Sequence, residues 1–406
     1  MKKIIIICLL ISTVINMSAQ KRFVVIMKDG FETPVIRNRV ADTDREQQNN
    51  KNKPERDRKL AKIIGFTNSK GISSTSQFVD GKVGFEAILT PAQESSLRGD
   101  ANVEGVYEDF QVQGNPIQQG NPIQQGNPIQ QSCNYNESTK SSCAINLVGG
   151  SANSNNRKES IWILDTGIDK NHPDLKVNSK NNIPVSFIPG ESATDDFAGH
   201  GTHCAGIAAG KGVGQLGASG VSSGAEVIPV KVLDRNGVGT WSNIVKGLDH
   251  IAKYGQAGDV VMMSLGGYDI ANCANSNPAI VSAIQELANK GLFIVMSAGN
   301  DRGDANLNLP GCISGTNVFT VAALDFNCTS GITGCAAYSN FGKPAVDWAA
   351  PGSAVFSTWP GNRYQVMSGT SMACALVAGV IHSRNGAPFV GSTINCNGVN
   401  YNIPKR

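Results

Sequence analysis

The chain has 406 residues, which is enough for two or three domains with a substantial core. Its formal net charge of +3 gives no sign of a nucleic-acid-binding or membrane-binding surface. In residues 1–19, two lysines follow Met1, an apolar run extends from Ile4 to Ile15, and small residues come last. This layout predicts a secretory signal peptide that is cut after Ala19. Because the run is too short to cross a bilayer, we expect a secreted protein without a membrane segment.

Residues 20–113 have the pattern of a small α+β domain without cysteines. The stretches KRFVVIM and KVGFEAIL are typical of strands, and NVEGVYEDFQV alternates like a closing strand. Between them, TPAQESSLRG has a threonine cap, proline at the first helical position and glutamine at the third, which predicts a helix start.

Three perfect copies of GNPIQQ occupy residues 114–131. The period is too short and the copies are too few for a solenoid. Glycine, Asn-Pro and glutamine favour an extended, solvated chain, so we expect a linker here.

The pattern changes at about residue 132, and residues 132–406 are predicted to form an α/β domain. Continuous apolar runs, such as SIWILDTG, EVIPVKVL, DVVMMSLGG, LFIVMSAGN and NVFTVAAL, alternate with helical segments such as residues 277–290. Strands that are apolar on both faces and alternate with helices predict a doubly wound, mostly parallel sheet covered on both sides. Such sheets carry their chemistry at the carboxyl ends of the strands.

Four polar residues fall at or beside such positions. Asp165 ends the run WILD, Asn300 ends FIVMSAGN, His200 lies in GHGTHCAGIAAG, and Ser371 precedes a helical segment in SGTSMACALVAG. Each alone has an ordinary structural explanation: a capped aspartate, a turn asparagine, a core histidine and a helix-capping serine. Together, at one edge of a sheet, they are a complete set for acyl transfer.

The segments LDTGIDKNHPDL, GHGTHCAGIAAG, SLGG, SAGN and SGTSMACALVAG, in the order Asp–His–Ser, resemble the motif set of the subtilisin-like serine proteases. The proteinase K-like branch is the most similar, since Cys204 follows HGTH. The resemblance covers about residues 160–380, and residues 21–112 resemble the propeptide that inhibits such enzymes and assists their folding. It implies a subtilisin-like α/β fold after an α+β propeptide, and a secreted endopeptidase made as an autoprocessed zymogen. It also implies a broad preference for apolar or aromatic residues before the scissile bond.

The resemblance also assigns roles. Ser371 would be the nucleophile, His200 the general base and acid, Asp165 the residue that orients the imidazole, and Asn300 an oxyanion-hole donor. The substrate-binding residues it implies are Trp241 at a distant subsite and, as the two walls of the main pocket, Ser264, Leu265, Gly266, Ser297, Ala298 and Gly299. A zinc site at His200 and His203 is disfavoured, because HGTH lacks a third ligand, so no metal is predicted there.

Nine cysteines remain once Cys8 of the signal peptide is set aside, so at least one is unpaired within the chain. Export favours disulfides. Cys204 is the candidate free thiol, beneath the catalytic histidine. The pairs we consider are Cys133–Cys143, Cys328–Cys335, Cys273–Cys312 and Cys374–Cys396. Eight cysteines permit 105 pairings, which leaves the connectivity open.

The chain departs from the family after GTSMA, where a small residue and Pro-His usually follow and this sequence has Cys374-Ala375-Leu376. Loss of a helix-starting proline predicts a looser placement of Ser371. An alternative function is therefore a catalytically inactive protease-like binding or scaffold protein, although the full set of catalytic residue types favours the enzyme. No cofactor is required for the chemistry, and a structural calcium stays open with Asp174 as a weak ligand candidate. We expect protein or peptide substrates, the chain's own propeptide as an inhibitor, no nucleic acid, and a monomer.

Overall fold

The computed structural model describes residues 21–28, 31, 52–114, 117–124, 134–180, 183–214, 216–268 and 277–406, with the backbone alone for residues 117–124 and 268. The predicted signal peptide and the second half of the repeat segment lie outside the described residues. Among the described helices, none combines the length and the apolar character that crossing a membrane requires.

An N-terminal module precedes the repeats. Its elements are β1 Lys21–Met27, α1 Lys53–Ser69, β2 Ser74–Phe78, β3 Gly84–Leu89, α2 Pro91–Arg98 and β4 Val103–Glu108. The strands form an antiparallel sheet in the order β2-β3-β1-β4. Helix α2 begins with the predicted capping box, in which Thr90 and Gln93 bond to each other's backbone N–H. The predicted closing strand is split in two, with β4 in this sheet and the next strand outside it.

The larger unit that follows contains the other helices and strands of the described residues. Its helices are α3 Cys143–Leu147, α4 His200–Ala209, α5 Trp241–Tyr254, α6 Pro278–Asn289 and α7 Thr370–Arg384, with a 3₁₀ turn at Ala305–Leu307. Its strands and those of the repeat segment are β5 Gln111–Gly114, β6 Ile117–Gln124, β7 Tyr135–Asn136, β8 Ser141–Ser142, β9 Ala152–Asn153, β10 Ser160–Asp165, β11 Lys176–Val177, β12 Val185–Ser186, β13 Ser222–Ser223, β14 Glu226–Lys231, β15 Val238–Thr240, β16 Val260–Met263, β17 Leu265–Tyr268, β18 Phe293–Ser297, β19 Asn308–Leu309, β20 Val318–Asn327, β21 Gly331–Cys335, β22 Trp348–Pro351, β23 Val355–Trp359, β24 Arg363–Ser368, β25 Phe389–Cys396 and β26 Val399–Lys405.

The central sheet runs in the order β11-β14-β10-β16-β18-β20-β22-β26-β25. All pairs from β11 to β26 are parallel, and only the final β25–β26 hairpin is antiparallel. Helices α4 and α7 share a core with one face of the sheet, and α5 and α6 share a core with the other. This is the doubly wound α/β architecture that the apolar runs predict, and it places the ends of β10 and β18 at one edge.

The N-terminal module lies against α5. The carboxylate of Asp249 on α5 accepts hydrogen bonds from the backbone N–H groups of Val79, Asp80 and Gly81, at 3.3, 2.7 and 2.6 Å. Lys246, one turn earlier on the helix, bonds to Glu86 of β3 at 3.0 Å. Burial, together with the nearby Asp80 carboxylate, raises the pKa of Asp249 to about 7.

This contact predicts that docking of the module weakens as the pH rises. Asp249 binds a proton more tightly in the docked state than in the separated one, so its contribution is complete below about pH 4 and is lost as the pH rises towards 7. Through this one group, the free energy of unfolding changes by at most about 1.4 kcal/mol per pH unit. We expect Asp249→Asn to remove that slope in denaturant unfolding of the intact chain carrying Ser371→Ala, measured between pH 4 and 8.

Asp80→Asn is the matched control for this contact. It leaves Asp249 in place but removes the neighbouring charge, so the pKa of Asp249 should fall. The pH dependence of the unfolding free energy should then shift to a lower pH range rather than disappear. An unchanged slope in the chain with Asp249→Asn would assign the pH dependence to other groups.

The disulfides differ from the pairs that the sequence suggests. Cys143 is bonded to Cys328 and Cys335 to Cys396, with Cα–Cα distances of 5.4 and 5.9 Å. The first bond joins the start of α3 to the residue after β20, and the second joins the ends of β21 and β25. The pairs Cys133–Cys143, Cys328–Cys335 and Cys374–Cys396 are therefore wrong. Sequence proximity misleads here because β21 turns Cys335 away from Cys328 and towards the C-terminal hairpin.

The other cysteines are either unpaired or only partly described. Cys374 and Cys204 are both free and buried. The Cys374 thiol lies 3.4 Å from the carbonyl oxygen of Val295 on β18, because this face of α7 packs on the sheet rather than on the C-terminal tail. Cys312 belongs to a disulfide, whereas Cys133 and Cys273 lie outside the described residues.

The first part of the repeat segment is also different from the expected solvated linker. Gln111–Gly114 form β5, which lies between β15 and β17, and residues 117–124 form β6, which pairs antiparallel with β24. An extended chain has unpaired backbone donors and acceptors, and here the three strands β15, β17 and β24 pair with them.

Candidate active site

Asp165 and His200 meet at the carboxyl edge of the central sheet. Asp165 is the last residue of β10 and is fully buried, and His200 is the first residue of α4. The His200 Nδ1 atom lies 2.7 Å from Asp165 Oδ1, which also accepts the backbone N–H of Thr166 at 2.7 Å. A carboxylate in this position fixes the imidazole orientation and places the proton on Nδ1, which leaves Nε2 free to act as a base.

A second buried carboxylate, Asp196, holds the start of α4, and no local pattern in the sequence points to it. It accepts four hydrogen bonds of 2.7–2.8 Å, from the hydroxyl of Thr166, the N–H of Gly199 and both the N–H and hydroxyl of Thr202. Burial raises the pKa of Asp196 in spite of these donors. Asp196 thereby ties the loop before His200 to the residue after Asp165.

The glycines on either side of His200 allow the backbone to approach its neighbours. Gly199 has a φ of +85°, and a Cβ there would lie 2.4 Å from the ring of Trp359. A Cβ on Gly201 would lie 2.1 Å from the carbonyl oxygen of Gly167. The pattern GHG is therefore required for α4 to reach the end of β10.

Ser371 is the second residue of α7 and is fully buried. Its hydroxyl donates to the Ser264 carbonyl oxygen at 3.3 Å, and the Ser264 hydroxyl donates to the Ser371 carbonyl oxygen at 3.2 Å. On the other side, Cys204 Sγ lies 3.8 Å from His200 Nε2 and interacts with Ser264. Cys204 and Ser264 thus connect the Nε2 side of the histidine to the serine.

Asn300 lies just after β18, beside the start of α7. Its side-chain oxygen accepts hydrogen bonds from the backbone N–H and the hydroxyl of Thr370, both at 3.0 Å. The Thr370 hydroxyl in turn accepts the N–H of Gly299 at 3.2 Å. Because its oxygen is held by Thr370, the Asn300 amide has a defined orientation with its NH₂ group on the opposite side.

Of the two buried histidines on α4, His200 and His203, only His200 has a pKa that agrees with an acid–base role. Burial alone would lower the pKa of His200, but the Asp165 carboxylate offsets this and the pKa is raised well above its usual value. Burial lowers the pKa of His203 to about 3, and its Nε2 bonds to the Gln365 carbonyl oxygen, as expected for a structural histidine. Burial raises the pKa of the Cys204 thiol, so that group stays protonated.

Within the described residues, one group of three ligand-type side chains is close enough to hold a metal ion. The ligand atoms of Asp165, His200 and Cys204 lie within 4.8 Å of one another. The carboxylate and Nδ1 already bond to each other, and a protonated thiol is a poor ligand, so acid–base chemistry explains the group better than a metal does.

Comparison with known proteins assigns the family. A model described as "Subtilase family" matches residues 156–383, which is more than half of the chain. The chain belongs to the subtilase family. It is therefore a serine endopeptidase of the subtilisin-like class, and the α/β fold is the one expected for that class.

Several curated subtilases are similar over most of their length. Thermitase of Thermoactinomyces vulgaris is 38% identical over 54% of this chain and 72% of its own. Alkaline serine protease ver112 of Corniculantispora psalliotae is 33% identical over 73% of this chain and 70% of its own. Proteinase T of Parengyodontium album is 37% identical over 57% of this chain and 70% of its own length. This similarity places the chain near the proteinase K-like branch. The crystal structure of a cold adapted subtilisin-like serine proteinase matches 64% of this chain and 81% of its own, with 28% identity and a TM-score of 0.46.

Three of the substrate-binding residues implied for a subtilase lie next to β5, and three others lie beside the start of α7. Leu265 and Gly266 of β17 lie opposite Gly114 and Gln113. Trp241, at the start of α5, is buried in the same apolar cluster as Leu265 and Val112. Ser297, Ala298 and Gly299 lie at and after the end of β18, next to Thr370.

The structure also shows the surroundings of Asp174, the candidate calcium ligand of this subtilase. Asp174 accepts hydrogen bonds from the N–H groups of Val213 and Ala218, at 2.5 and 2.7 Å, and from the Tyr364 hydroxyl at 3.0 Å. A carboxylate whose two oxygens face donors does not fit a calcium site.

Ala375 and Leu376, which replace the Pro-His of the family motif, are fully buried within an uninterrupted α7.

Proposed function

We propose that Ser371, His200 and Asp165 form the catalytic triad of a secreted endopeptidase that is made as a self-processed precursor. The observation that carries this proposal is the buried 2.7 Å contact between His200 Nδ1 and Asp165 Oδ1. It is reinforced by the contacts through Cys204 and Ser264 that bring the other side of the imidazole towards Ser371.

The first half of the reaction is acylation of Ser371. His200 Nε2 takes the hydroxyl proton while Ser371 Oγ bonds to the carbonyl carbon of the substrate. The carbonyl oxygen becomes an anion, which the Asn300 NH₂ group and the backbone N–H of Ser371 would stabilise. His200 then delivers the proton to the leaving amine nitrogen as the C–N bond breaks, and Asp165 stabilises the imidazolium in between.

The second half regenerates the enzyme. A water molecule gives a proton to His200 and attacks the acyl carbon, and the proton then returns to Ser371 as the acid product leaves. The N-terminal end of α7 faces the developing negative charge and favours it. Leu265, in one wall of the implied main pocket, and Trp241, at the more distant subsite, share a buried apolar cluster with Val112 of β5. This cluster supports the expected broad preference for apolar or aromatic residues before the scissile bond.

Precursor processing is supported by the position of the N-terminal part of the chain. The module from β1 to β4 docks on α5, and β5 lies as a strand between two strands of the catalytic unit. A chain that enters its own cleft in this way inhibits until it is cut and released. The predicted signal peptide and the disulfides, among them Cys143–Cys328 and Cys335–Cys396, favour function outside the cell.

The test compares the secreted wild-type chain with Ser371→Ala by intact mass and N-terminal sequencing. We expect the wild type to lose residues 20 to about 131 and the variant to keep them. Ser383→Ala is a matched control that removes a hydroxyl near the C-terminal end of α7, where it donates to the Val380 carbonyl oxygen, and leaves Ser371 in place, so trimming should persist. Equal trimming of all three proteins would assign maturation to another protease. No trimming of folded protein, together with no hydrolysis of casein, would favour the scaffold alternative.

A further inference from the structure

A cavity of about 370 Å³ lies at the carboxyl edge of the central sheet, next to β12. Its polar lining includes two lysines and three hydroxyl side chains, which are Lys170, Lys180, Ser186, Ser192 and Thr194. Ser186 of β12 lies opposite Lys231 of β14, which in turn lies opposite Asp165 of β10. Because neighbouring strands are about 4.8 Å apart, the backbone of Ser186 is about 10 Å from that of Asp165. The cavity is therefore at the same edge of the sheet as the catalytic residues, two strands away.

The loop that lines the cavity is tied to the chain that follows Asp165. The Ile168 N–H donates to the Ala193 carbonyl oxygen at 3.0 Å, and the Lys170 N–H donates to the Thr194 carbonyl oxygen at 3.4 Å. Two residues further along the same loop, the buried carboxylate at position 196 holds the start of α4. One continuous segment thus connects the cavity to the helix that carries the catalytic histidine.

The two lysines of the cavity have no counter-charge. Both are exposed, and the ion pairs between described residues include neither Lys170 nor Lys180. The carboxylates nearby in the sequence are engaged elsewhere. Glu191 pairs with two other basic residues at 3.0 Å each, and both oxygens of Asp169 accept backbone N–H groups, at 2.9 and 2.8 Å. Asp195 is exposed to solvent and outside the described lining. The positive charge of the cavity is therefore left for a ligand.

The lining offers hydrogen-bond donors that suit a phosphate group. An ammonium group carries only N–H donors and no acceptor. The Ser192 and Thr194 hydroxyls lie 3.1 Å apart, so one donates to the other and the hydrogen of the second is left for a ligand. The Thr194 N–H donates to Ser192 Oγ at 3.2 Å and fixes this pair. A phosphate group brings about two negative charges and several acceptor oxygens, which these donors complement.

We propose that this cavity is a binding site for a phosphate group, carried by the protein substrate or supplied as the free ion. Where it concerns the substrate, the inference rests on the proposed function, and it goes further by naming phosphorylated proteins as a substrate class. An extended segment of three residues covers about 10 Å. A phosphorylated side chain close to the scissile bond of a substrate therefore reaches the cavity while the bond itself lies at Ser371.

The first test measures binding without catalysis. Inorganic phosphate is titrated calorimetrically into the full chain carrying Ser371→Ala, with chloride added to keep the ionic strength constant. We expect saturable binding, and Lys170→Ala combined with Lys180→Ala should weaken it by about tenfold or more, because two charge-assisted contacts are lost. Lys176→Ala removes the same charge from β11, where its Nζ bonds to the Asn155 carbonyl oxygen at 3.2 Å, and should leave the affinity nearly unchanged. Absence of binding, or equal weakening by Lys176→Ala, overturns the proposal.

The second test identifies the source of the phosphate. It compares kcat/KM of the self-processed protein on casein, which is phosphorylated, and on casein treated with a phosphatase. For a phosphate carried by the substrate, the ratio of the two values should be about ten, should fall to about one in the double lysine variant, and should persist in Lys176→Ala. A ratio of one, with lysine-dependent binding of inorganic phosphate retained, assigns the cavity to the free ion.

The remaining outcomes separate this inference from the proposed function. A high ratio that persists in the double lysine variant overturns the role of the cavity in substrate choice. If inorganic phosphate binds as expected but neither form of casein is hydrolysed, the proposed function fails while the phosphate site stands.

Discussion

Asp165→Asn should lower kcat with little change in KM, by less than the factor of about 10⁴ known for the same substitution in chymotrypsin-like proteases, where the imidazole takes the wrong tautomer. The N–H of Thr166 donates to the same oxygen that faces His200, at 2.7 Å. An asparagine can satisfy that N–H only with its carbonyl oxygen towards His200. The variant therefore keeps the proton on Nδ1 and loses mainly the charge that stabilises the imidazolium.

The pH profile separates this loss of charge from a misplaced side chain. The Asp165 carboxylate raises the pKa of His200, and the base must be neutral to accept the Ser371 proton. Without the charge, the pKa of His200 should fall, and the rising limb of kcat/KM should move to lower pH. A new negative group near His200 would move that limb to higher pH. Asp165→Ala should lose more activity than Asp165→Asn, since nothing then holds the imidazole. Equal activities of the two variants would contradict a positioning role for the Thr166 contact.

Much of the fold and of the site follows from local patterns in the sequence. The apolar runs that predict strands contain β10, β14, β16, β18 and most of β20, because a strand covered on both faces is apolar along most of its length. Asp165 and Asn300 stand out because each follows such a run, where a polar residue is unexpected. The orientation of the Asn300 amide, in contrast, depends on Thr370, which is 70 residues away.

The contacts that local patterns do not predict are long-range. Asp196 lies four residues before His200 in an ordinary polar stretch, and its four donors become close only when α4 reaches the end of β10. The disulfide between Cys143 and Cys328 spans 185 residues, whereas pairing arguments favour short loops. The polar composition of the repeat predicts a solvated chain, but its backbone pairs with strand edges, and composition does not show backbone pairing.

Asn300→Ala should lower kcat by about 10²–10³, the magnitude known for the oxyanion-hole asparagine of subtilisin. KM should change little, because the NH₂ group meets negative charge only in the transition state. Thr370 bonds to the Asn300 oxygen through both its N–H and its hydroxyl, at 3.0 Å each, so the amide has no freedom to turn. Steady-state kinetics on a peptide anilide would give both constants.

Two matched variants identify which end of the amide matters. Asn300→Asp keeps the shape and the oxygen that meets Thr370 but replaces the donor with a negatively charged acceptor, so it should be at least as impaired as Asn300→Ala. Thr370→Ser keeps the hydroxyl donor and should cost little, whereas Thr370→Val loses one of the two bonds that orient the amide and should lower kcat by about tenfold, as expected for one neutral hydrogen bond. If Asn300→Asp retained wild-type kcat, the oxyanion would be stabilised without Asn300, by the backbone N–H of Ser371 and the N-terminal end of α7.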